Sequence, residues 1–167
     1  MSYRNKTYIA FDGDNDMWAY AYMKGWKSNE NMDFNFYNAH DINSARDTSD
    51  VESIKAQLRI RMANAKQMVL LVGEKTKGLR TYIPWEIELA RQKDIPIIVA
   101  NLNKKRGYDA DRCPSAIGSE VYTMHVAFYA KIIQYALDNF AEEYSEYKDK
   151  KSGNYRYVDS VYEKLDL

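Results

Sequence analysis

Two short, almost wholly apolar runs, MVLLV (68–72) and IPIIVANL (95–102), constrain the fold of this chain more than any other feature. Runs of this length, rich in β-branched residues, are typical of strands that are covered on both faces of a parallel sheet. The segment between them has helical period, with Pro84 suited to a first helical turn and Ile87 and Ala90 facing inward. A buried strand, a helix and a second buried strand together indicate a parallel α/β fold.

Further patterns extend this unit in both directions. Three more strands are predicted by the runs YIAF (8–11), FNFY (34–37) and VYTMHV (121–126). Apolar residues spaced by three and four from Val51 predict a helix, with Ser49 and Asp50 as candidate caps, and a last long helix covers 128–140. The sequence therefore predicts a flavodoxin-like three-layer α/β sandwich, with a five-stranded parallel sheet and helices on both faces.

We expect these elements to form one domain over residues 1–147, because a chain of 167 residues leaves little room for a second core. Residues 148–167 begin with a polar stretch and are predicted to form a polar link followed by a short helical appendage. In sheets of this kind ligands bind at the carboxyl ends of the strands. The loops that follow the strands are therefore the places where we expect a site.

The composition of the chain limits the kinds of partner that it is expected to bind. Lys and Arg number 24, as do Asp and Glu, so no net charge attracts nucleic acid or a membrane surface, and neither is expected as a partner. The single cysteine, Cys113, excludes an internal disulfide and fits a reducing cytoplasm. No run approaches the roughly 18 apolar residues that span a bilayer, and the start lacks a signal peptide. A cytoplasmic location is therefore expected.

Three aspartates at alternate positions, Asp12, Asp14 and Asp16, follow the first predicted strand. They match the first half of an EF-hand calcium loop, but Met17 stands where that loop needs glycine. Met23 stands where the loop needs its bidentate glutamate. Calcium binding is therefore not expected here, and no metal site is predicted elsewhere.

Aspartyl-phosphate chemistry is a second interpretation of the same stretch. Asn15 follows where the haloacid-dehalogenase motif has Thr or Val, and the segment 72–74 (VGE) lacks the aspartate of a response-regulator receiver. A magnesium-dependent phosphotransfer domain using Asp12 stays as a remote alternative. The simpler interpretation is that Asp14 and Asp16 cap the first helix and accept its free N–H groups.

The segment 49–102, together with YIAFDGD (8–14), resembles the TIR superfamily, and most closely the TIR-like branch of bacterial Thoeris anti-phage systems. The resemblance covers roughly residues 7–145 and is carried by the order of several loose motifs. These are a first strand entering a polar loop, the spacing from Tyr37 to Asp41, a helix with Ile54, Leu58 and Met62, a strand ending in Gly73-x-x-Thr76, the helix start Tyr82-x-x-x-Glu86-Ile87, and the strand IPII (95–98).

This resemblance implies that NAD is the substrate, with no separate cofactor. TIR enzymes cleave the bond between nicotinamide and ribose, and several then cyclise the ADP-ribose. The family's catalytic glutamate matches Glu86, with Tyr82 in the place of the aromatic residue four positions earlier. Trp85 provides a second ring nearby, but counting four from it leads to Leu89. Glu88 is the alternative, about 200° round the helix from Glu86.

The chemistry fits a single carboxylate. Nicotinamide leaves as a neutral molecule from a cationic linkage, so the reaction needs no general acid, unlike hydrolysis of an O-glycoside. One carboxylate holds the ribose hydroxyls and stabilises an oxocarbenium-like transition state. If Pro84 is the first helical residue, Glu86 is the third, where the helix dipole favours its ionised form. The alternative is that Glu86 is only a stabilising acid of the first turn.

Two loops are expected to complete the pocket. By position in the family, one wall is formed by Phe11, Asp12 and Gly13. The loop after the second strand corresponds to one that closes over NAD or contacts a neighbouring subunit. Its candidate polar contacts are Asp41, Ser44, Arg46 and Asp47, of which Arg46 can pair with a phosphate. Each of these residues could equally serve a turn or a cap.

The resemblance also implies partners. A TIR-type enzyme of anti-phage defence would make a signalling nucleotide derived from ADP-ribose, linear or cyclic, and this product would activate a separate effector protein. A phage-derived trigger and a homo-oligomer are further expected partners. A non-catalytic TIR-like module, which assembles through the same loops without cleaving NAD, stays as the alternative function.

Overall fold

A single parallel sheet organises the chain. The computed structural model describes residues 7–29 and 50–167. Its strands are β1 (Thr7–Ala10), β2 (Gln67–Val72), β3 (Ile97–Asn101), β4 (Tyr122–Ala127) and β5 (Gly153–Arg156), and they lie in the order β1-β2-β3-β4-β5. All four pairings are parallel. The predicted α/β sandwich with a five-stranded parallel sheet is confirmed, whereas the predicted strand 34–37 lies outside the described residues.

Helices cover both faces of this sheet. They are α1 (Met17–Ser28), α2 (Val51–Met62), α3 (Tyr82–Gln92), α4 (Ala130–Tyr147) and α5 (Asp159–Lys164). Buried side chains form two clusters, one between the sheet and α1, α4 and α5, the other between the sheet and α2 and α3. Alternation along β1 assigns its side chains to faces, because Ile9 belongs to the first cluster and Tyr8 and Ala10 to the second.

The two helices after β1 begin differently from each other. Asp50 caps α2, since its carboxylate accepts hydrogen bonds from the Ser53 N–H at 2.9 Å and the Ser53 hydroxyl at 3.0 Å. This confirms Asp50 as a cap, whereas Ser49 lies outside the described residues. Asp16 occupies the cap position of α1, yet its side chain accepts no capping hydrogen bond. The prediction that Asp16 caps this helix through its carboxylate is therefore wrong.

Helix α3 has Pro84 in its first turn, as the sequence predicts, and begins two residues before this proline. Its first helical residue is Tyr82, so Pro84 is third and Glu86 is fifth. Proline is tolerated there because the first four N–H groups of a helix have no intrahelical partner, and the Trp85 N–H makes the first such bond, to the Thr81 carbonyl. The condition under which Glu86 would be the third residue, a helix that begins at Pro84, is therefore not met. The position of Glu86 lies beyond the first turn, where the helix dipole acts most strongly.

The C-terminal segment belongs to the sheet. Residues 153–156, predicted as part of a polar link, form β5 and pair with β4 in parallel register. The predicted short helix is α5, and its Tyr162 is fully buried in the cluster beneath α4. The Ala127 N–H donates to the Tyr162 hydroxyl oxygen at 3.1 Å, which ties α5 to the end of β4. Across the described ranges, no helix is both long and apolar enough to cross a membrane.

Candidate active site

Glu86 is a buried carboxylate held by a tyrosine of the central sheet. Glu86 is 1% exposed to solvent, and its Oε1 accepts a hydrogen bond from the Tyr8 hydroxyl at 2.8 Å. Tyr8 points to the face covered by α2 and α3, so the bond joins β1 to α3 across that face. A short hydrogen bond of this kind helps to hold the side chain of Glu86 in one rotamer. The sequence analysis did not identify Tyr8, although strand alternation assigns it to a buried face.

Two aromatic side chains, Tyr82 and Trp85, lie near Glu86 on the surface of α3. Tyr82 precedes Glu86 by four residues, so both lie on the same side of α3. Trp85 meets the Tyr82 ring edge-on, with 5.7 Å between centroids, and the Lys55 ammonium lies 4.9 Å from the Trp85 ring. Trp85 therefore lines the groove between α2 and α3, and its ring contacts that of Tyr82, which precedes Glu86 by about one helical turn.

Glu88 lies on the solvent side of the same helix. It is exposed, accepts a hydrogen bond from the Gln92 amide at 3.3 Å, and lines the shallow groove between α2 and α3. Glu86 points inward to Tyr8 instead. The expectation that the two glutamates occupy different sides of the helix is confirmed by these positions, whereas the choice of catalytic residue stays a prediction.

Asp12 organises the loop that follows β1. Its residue is buried, and its Oδ1 accepts from the backbone N–H groups of Asp14 and Asn15 at 3.0 and 3.4 Å. Its Oδ2 accepts from the Asn15 amide at 2.6 Å. Both oxygens therefore stabilise a tight turn, as aspartate side chains commonly do. This arrangement favours the structural interpretation of Asp12 over the phosphotransfer interpretation.

Asp16 turns towards the loop after β2 instead of capping α1. Its carboxyl lies 3.5 Å from the Thr76 hydroxyl and against Gly73, where an added Cβ would lie 2.3 Å from Oδ2. Burial raises the pKa of Asp16 above its usual value, and the negative charge of Asp12 adds to this effect. The hydrogen bond from Thr76 and the charge of Arg112 oppose it. The missing side chain of Gly73 explains why this carboxyl packs away from the helix.

The remaining predicted site residues take other positions. Phe11 is buried and stacks on Tyr20 at 4.8 Å between centroids, on the sheet face opposite Glu86. Gly13 lies in the turn that Asp12 stabilises. Asp41, Ser44, Arg46 and Asp47 lie outside the described residues. The binding roles of all these residues stay predictions.

An open cavity of about 390 Å³ lies at the carboxyl ends of β1, β2 and β3. It is lined by Asn15, Asp16, Trp18, Gly73, Glu74, Lys75, Leu102 and Arg112. Sequence analysis pointed to the loops after these strands, but not to Trp18, Lys75 or Arg112. Among residues 7–29 and 50–167, no group of three His, Cys, Asp or Glu side chains is placed to hold a metal ion.

Comparison with known proteins defines the family of this chain. None of the curated proteins compared with the chain matches it at a significant level. The family model of the Thoeris protein ThsB, TIR-like domain, matches residues 8–107. This range spans well over half of the 167 residues and includes β1, β2, β3 and the helix that carries Glu86. The chain therefore belongs to the family of Thoeris ThsB TIR-like domains.

Proposed function

We propose that this protein cleaves NAD between nicotinamide and ribose, with Glu86 as the catalytic residue. The observation that carries the proposal is the buried Glu86 carboxylate held by the Tyr8 hydroxyl at 2.8 Å, in a chain of the Thoeris TIR-like family. A buried carboxylate with a defined hydrogen-bond partner is a candidate functional group. NAD is proposed as the substrate because the resemblance to TIR enzymes implies it, and membership of a TIR-like family supports this choice.

Glu86 needs only one role in this reaction. As the bond between the ribose and the nicotinamide nitrogen breaks, positive charge on the ribose spreads over C1′ and the ring oxygen, and nicotinamide leaves neutral. A carboxylate next to that ribose stabilises the developing cation, and it acts most strongly where water is excluded. Water then attacks C1′ in hydrolysis, or an atom of the ADP-ribose attacks it in cyclisation. No protonation of the leaving group is required.

Tyr8 acts as a positioning residue in this proposal. Its hydroxyl donates to Oε1 of Glu86, so it fixes the direction in which the carboxylate presents its charge. Because Tyr8 is anchored in β1 and Glu86 in α3, the geometry of the pair depends on how these two elements pack. We therefore expect Tyr8→Phe to lower kcat more than it changes KM.

The first test is the Glu86→Gln variant. We expect release of nicotinamide from NAD to fall by about 10²-fold or more, the usual effect of removing one transition-state electrostatic contact. The neutral amide keeps the shape of the side chain, and its oxygen still accepts from Tyr8, so the fold is preserved. Nicotinamide is measured by chromatography after incubation with NAD, with a phage-infected lysate added as the activating condition.

Glu88→Gln is the matched control, because it makes the same change on the exposed side of α3. Its rate is expected to equal that of the unmodified protein. Full turnover by Glu86→Gln would contradict the assignment of the residue. No nicotinamide release by the unmodified protein, with and without the lysate, would contradict NAD cleavage itself and favour a non-catalytic assembly module.

The product is proposed to act as a signal in anti-phage defence. A nucleotide derived from ADP-ribose, linear or cyclic, would leave the enzyme and activate a separate effector protein. A filtrate of the reaction, freed of protein, should therefore activate a separate effector protein of the defence system, and a filtrate from Glu86→Gln should not. Activation by the Glu86→Gln filtrate would contradict a product-based signal.

A further inference from the structure

Three tyrosine rings meet one lysine ammonium near the start of β4. The Lys151 ammonium lies 4.4 Å from the ring centroid of Tyr147. It lies 5.4 Å from the centroid of Tyr122 and 5.5 Å from that of Tyr155. At each of these distances the face of an aromatic ring attracts a cation. We refer to Tyr122, Tyr147 and Tyr155 as the tyrosine cage.

The tyrosine cage is built from three elements of the fold. Tyr147 ends α4, Tyr122 begins β4, and Tyr155 lies in β5. Tyr122 meets Tyr155 edge-on, with 4.9 Å between centroids. Tyr122 is 3% exposed, whereas Tyr155 is 38% exposed and Tyr147 is half-buried, so the cage is open to solvent on one side. Because all strands are parallel, the start of β4 lies at the end of the sheet opposite the cavity beyond β1, β2 and β3.

The Lys151 ammonium is held by the rings and not by hydrogen bonds. Among residues 7–29 and 50–167, it has no hydrogen-bond acceptor and no ion pair within 4 Å. Burial raises the pKa of Glu143, and the positive charge of Lys151 opposes this shift. Glu143 therefore lies close enough to add negative potential at the cage, yet it does not bond to the ammonium.

The other contacts between a cation and a ring in the described ranges each involve a single ring. Lys148 lies 5.8 Å from the Tyr144 ring, and its ammonium also pairs with Asp94. Lys104 lies 4.9 Å from the Tyr129 ring alone. Lys151 differs from these lysines in the number of rings that its ammonium meets.

The surroundings of the Lys151 ammonium indicate which kind of cation fits the tyrosine cage best. A lysine ammonium has three N–H donors, and each needs an acceptor in the protein or in water. Because the cage supplies no acceptor, an ammonium between the rings loses part of its hydration without replacement. A quaternary ammonium has no donor to satisfy, and its methyl groups pack against the rings. Aromatic cages accordingly recognise choline and methylated lysine in other proteins.

We propose that the tyrosine cage binds a trimethylammonium group, and that Lys151 occupies the cage until such a ligand displaces it. Lys151 lies between α4 and β5, and its N–H donates to the Tyr147 carbonyl at 2.8 Å. The backbone can therefore stay in place while the side chain turns out to solvent. No hydrogen bond of the ammonium to the protein is lost in this movement. The site does not rest on the proposed cleavage of NAD.

The test compares Lys151→Ala with the unmodified protein in titrations of the full chain with tetramethylammonium chloride. Alanine removes the competing ammonium and leaves a space close in size to the added ion. We expect Lys151→Ala to bind this ion at one site with a dissociation constant below about 10 mM, at least about tenfold more tightly than the unmodified protein. Binding is followed by the NMR shifts of the tyrosine ring protons, with sodium chloride as the control for ionic strength.

Lys104→Ala is the matched control, since it removes a lysine that meets one ring only. It should bind tetramethylammonium no more tightly than the unmodified protein. In the Lys151→Ala background, Tyr155→Leu is expected to weaken binding about fivefold or more, because one ring is lost. Tyr155→Phe keeps the ring and should retain most of the affinity.

Two further comparisons define the ligand. The neutral isostere of choline, in which carbon replaces the nitrogen, should bind Lys151→Ala at least about tenfold more weakly than choline. Choline and Nε-trimethyl-lysine amide, titrated separately, distinguish the two sources of the group. Tighter binding of choline indicates a small choline compound, and tighter binding of the lysine derivative indicates a methylated protein side chain.

Three results would overturn the proposal. The first is the absence of saturation of Lys151→Ala at about 50 mM tetramethylammonium. The second is binding by Lys151→Ala that is no tighter than binding by Lys104→Ala. The third is equal affinity for choline and its neutral isostere, since the contact would then be apolar and independent of charge.

Discussion

Gly73 is a position at which one methyl group would change the structure. An added Cβ would lie 2.3 to 2.6 Å from the Asp16 carboxyl atoms, well inside contact distance. Gly73→Ala is therefore expected to push this carboxyl away from Thr76 and to lower the free energy of unfolding by about 1–3 kcal/mol. Urea denaturation measures the change.

Gly25→Ala is the matched control for this substitution. Gly25 lies within α1, and nothing is within 4 Å of the position that its Cβ would take. Alanine in a helix interior is expected to raise stability by up to about 1 kcal/mol. Equal stability of Gly73→Ala and the unmodified protein would show that Asp16 moves into the cavity without cost.

His125 makes stability depend on pH. It is fully buried in β4, its Nε2 lies 2.8 Å from the Asn154 side-chain oxygen, and its Nδ1 has no hydrogen-bond partner among the described residues. Burial lowers the pKa of His125 to about 4, while the hydrogen bond to Asn154 opposes this shift. Between pH 6.5 and about 4 the unfolded chain therefore binds more protons than the folded one, and stability falls as the pH is lowered.

We expect this histidine to account for a loss on the order of 3 kcal/mol across that window. The measurement is urea unfolding from pH 7 to pH 4, compared between the unmodified protein and His125→Gln. The variant is less stable at pH 7, but the other titrating groups are shared, so the difference between the two curves isolates His125. The same pH dependence of stability in the unmodified protein and in His125→Gln would contradict the role given to His125.

At the scale of elements, α5 is held by one buried side chain. Tyr162 is fully buried, and its hydroxyl oxygen accepts a hydrogen bond from the Ala127 N–H at 3.1 Å. The Arg106 guanidinium lies 4.2 Å from the centroid of the Tyr162 ring. Tyr162→Ala is expected to lower the free energy of unfolding by about 3–5 kcal/mol, the usual range for truncating a buried aromatic residue. Tyr162→Phe is expected to cost about 1–3 kcal/mol, because the Ala127 N–H then lacks its partner.

Val158→Ala is the control in the same segment, since Val158 is 64% exposed. Its effect should stay within about 0.5 kcal/mol. All three variants are compared by urea denaturation of the full chain. A change in Tyr162→Ala as small as that in Val158→Ala would show that α5 is not required for the stability of the sheet.

The elements that the sequence predicts correctly share a property. Strands β1 to β4 and helices α2 to α4 have apolar periods that follow directly from burial on one or both faces. β5 (GNYR) has no such period, because its side chains are only partly buried and its pairing with β4 is made by backbone groups. The periodicity of the sequence therefore does not reveal β5. The sequence left the first residue of α3 open, because proline is tolerated at several positions of a first turn.

The site was predictable only as far as single residues and their elements. The positions of Glu86 on α3 and of Asp12 after β1 agree with the sequence analysis, whereas the catalytic or binding roles of both residues stay predictions. The contacts that define their surroundings join residues far apart in the chain: Tyr8 with Glu86, separated by 78 positions, and Asp16 with Thr76, separated by 60. Local patterns carry no information on such pairs, so neither contact could be derived from the sequence.

At the scale of the whole molecule, the protection of backbone amides against hydrogen exchange should depend on where each strand lies in the sheet. β2 and β3 lie inside the described sheet and are buried on both faces, whereas β5 lies at its edge with two exposed residues. Native-state hydrogen exchange should therefore show the slowest amides in β2 and β3 and the fastest strand amides in β5. The exchange is followed by mass spectrometry of peptic peptides. Equal protection of β5 and β3 would contradict this order.

The four residues of β1 are expected to tolerate conservative changes of side chain better than changes of length. Tyr8 reaches Glu86 on one face, and the turn begun by Asp12 places Asp16 at the cavity beyond the strand end. Deleting one residue from β1 would shift the register and exchange the faces, so both arrangements would be lost at once. In a scan of single-residue deletions, no variant with a deletion in β1 is therefore expected to fold, even at positions where conservative substitutions are accepted.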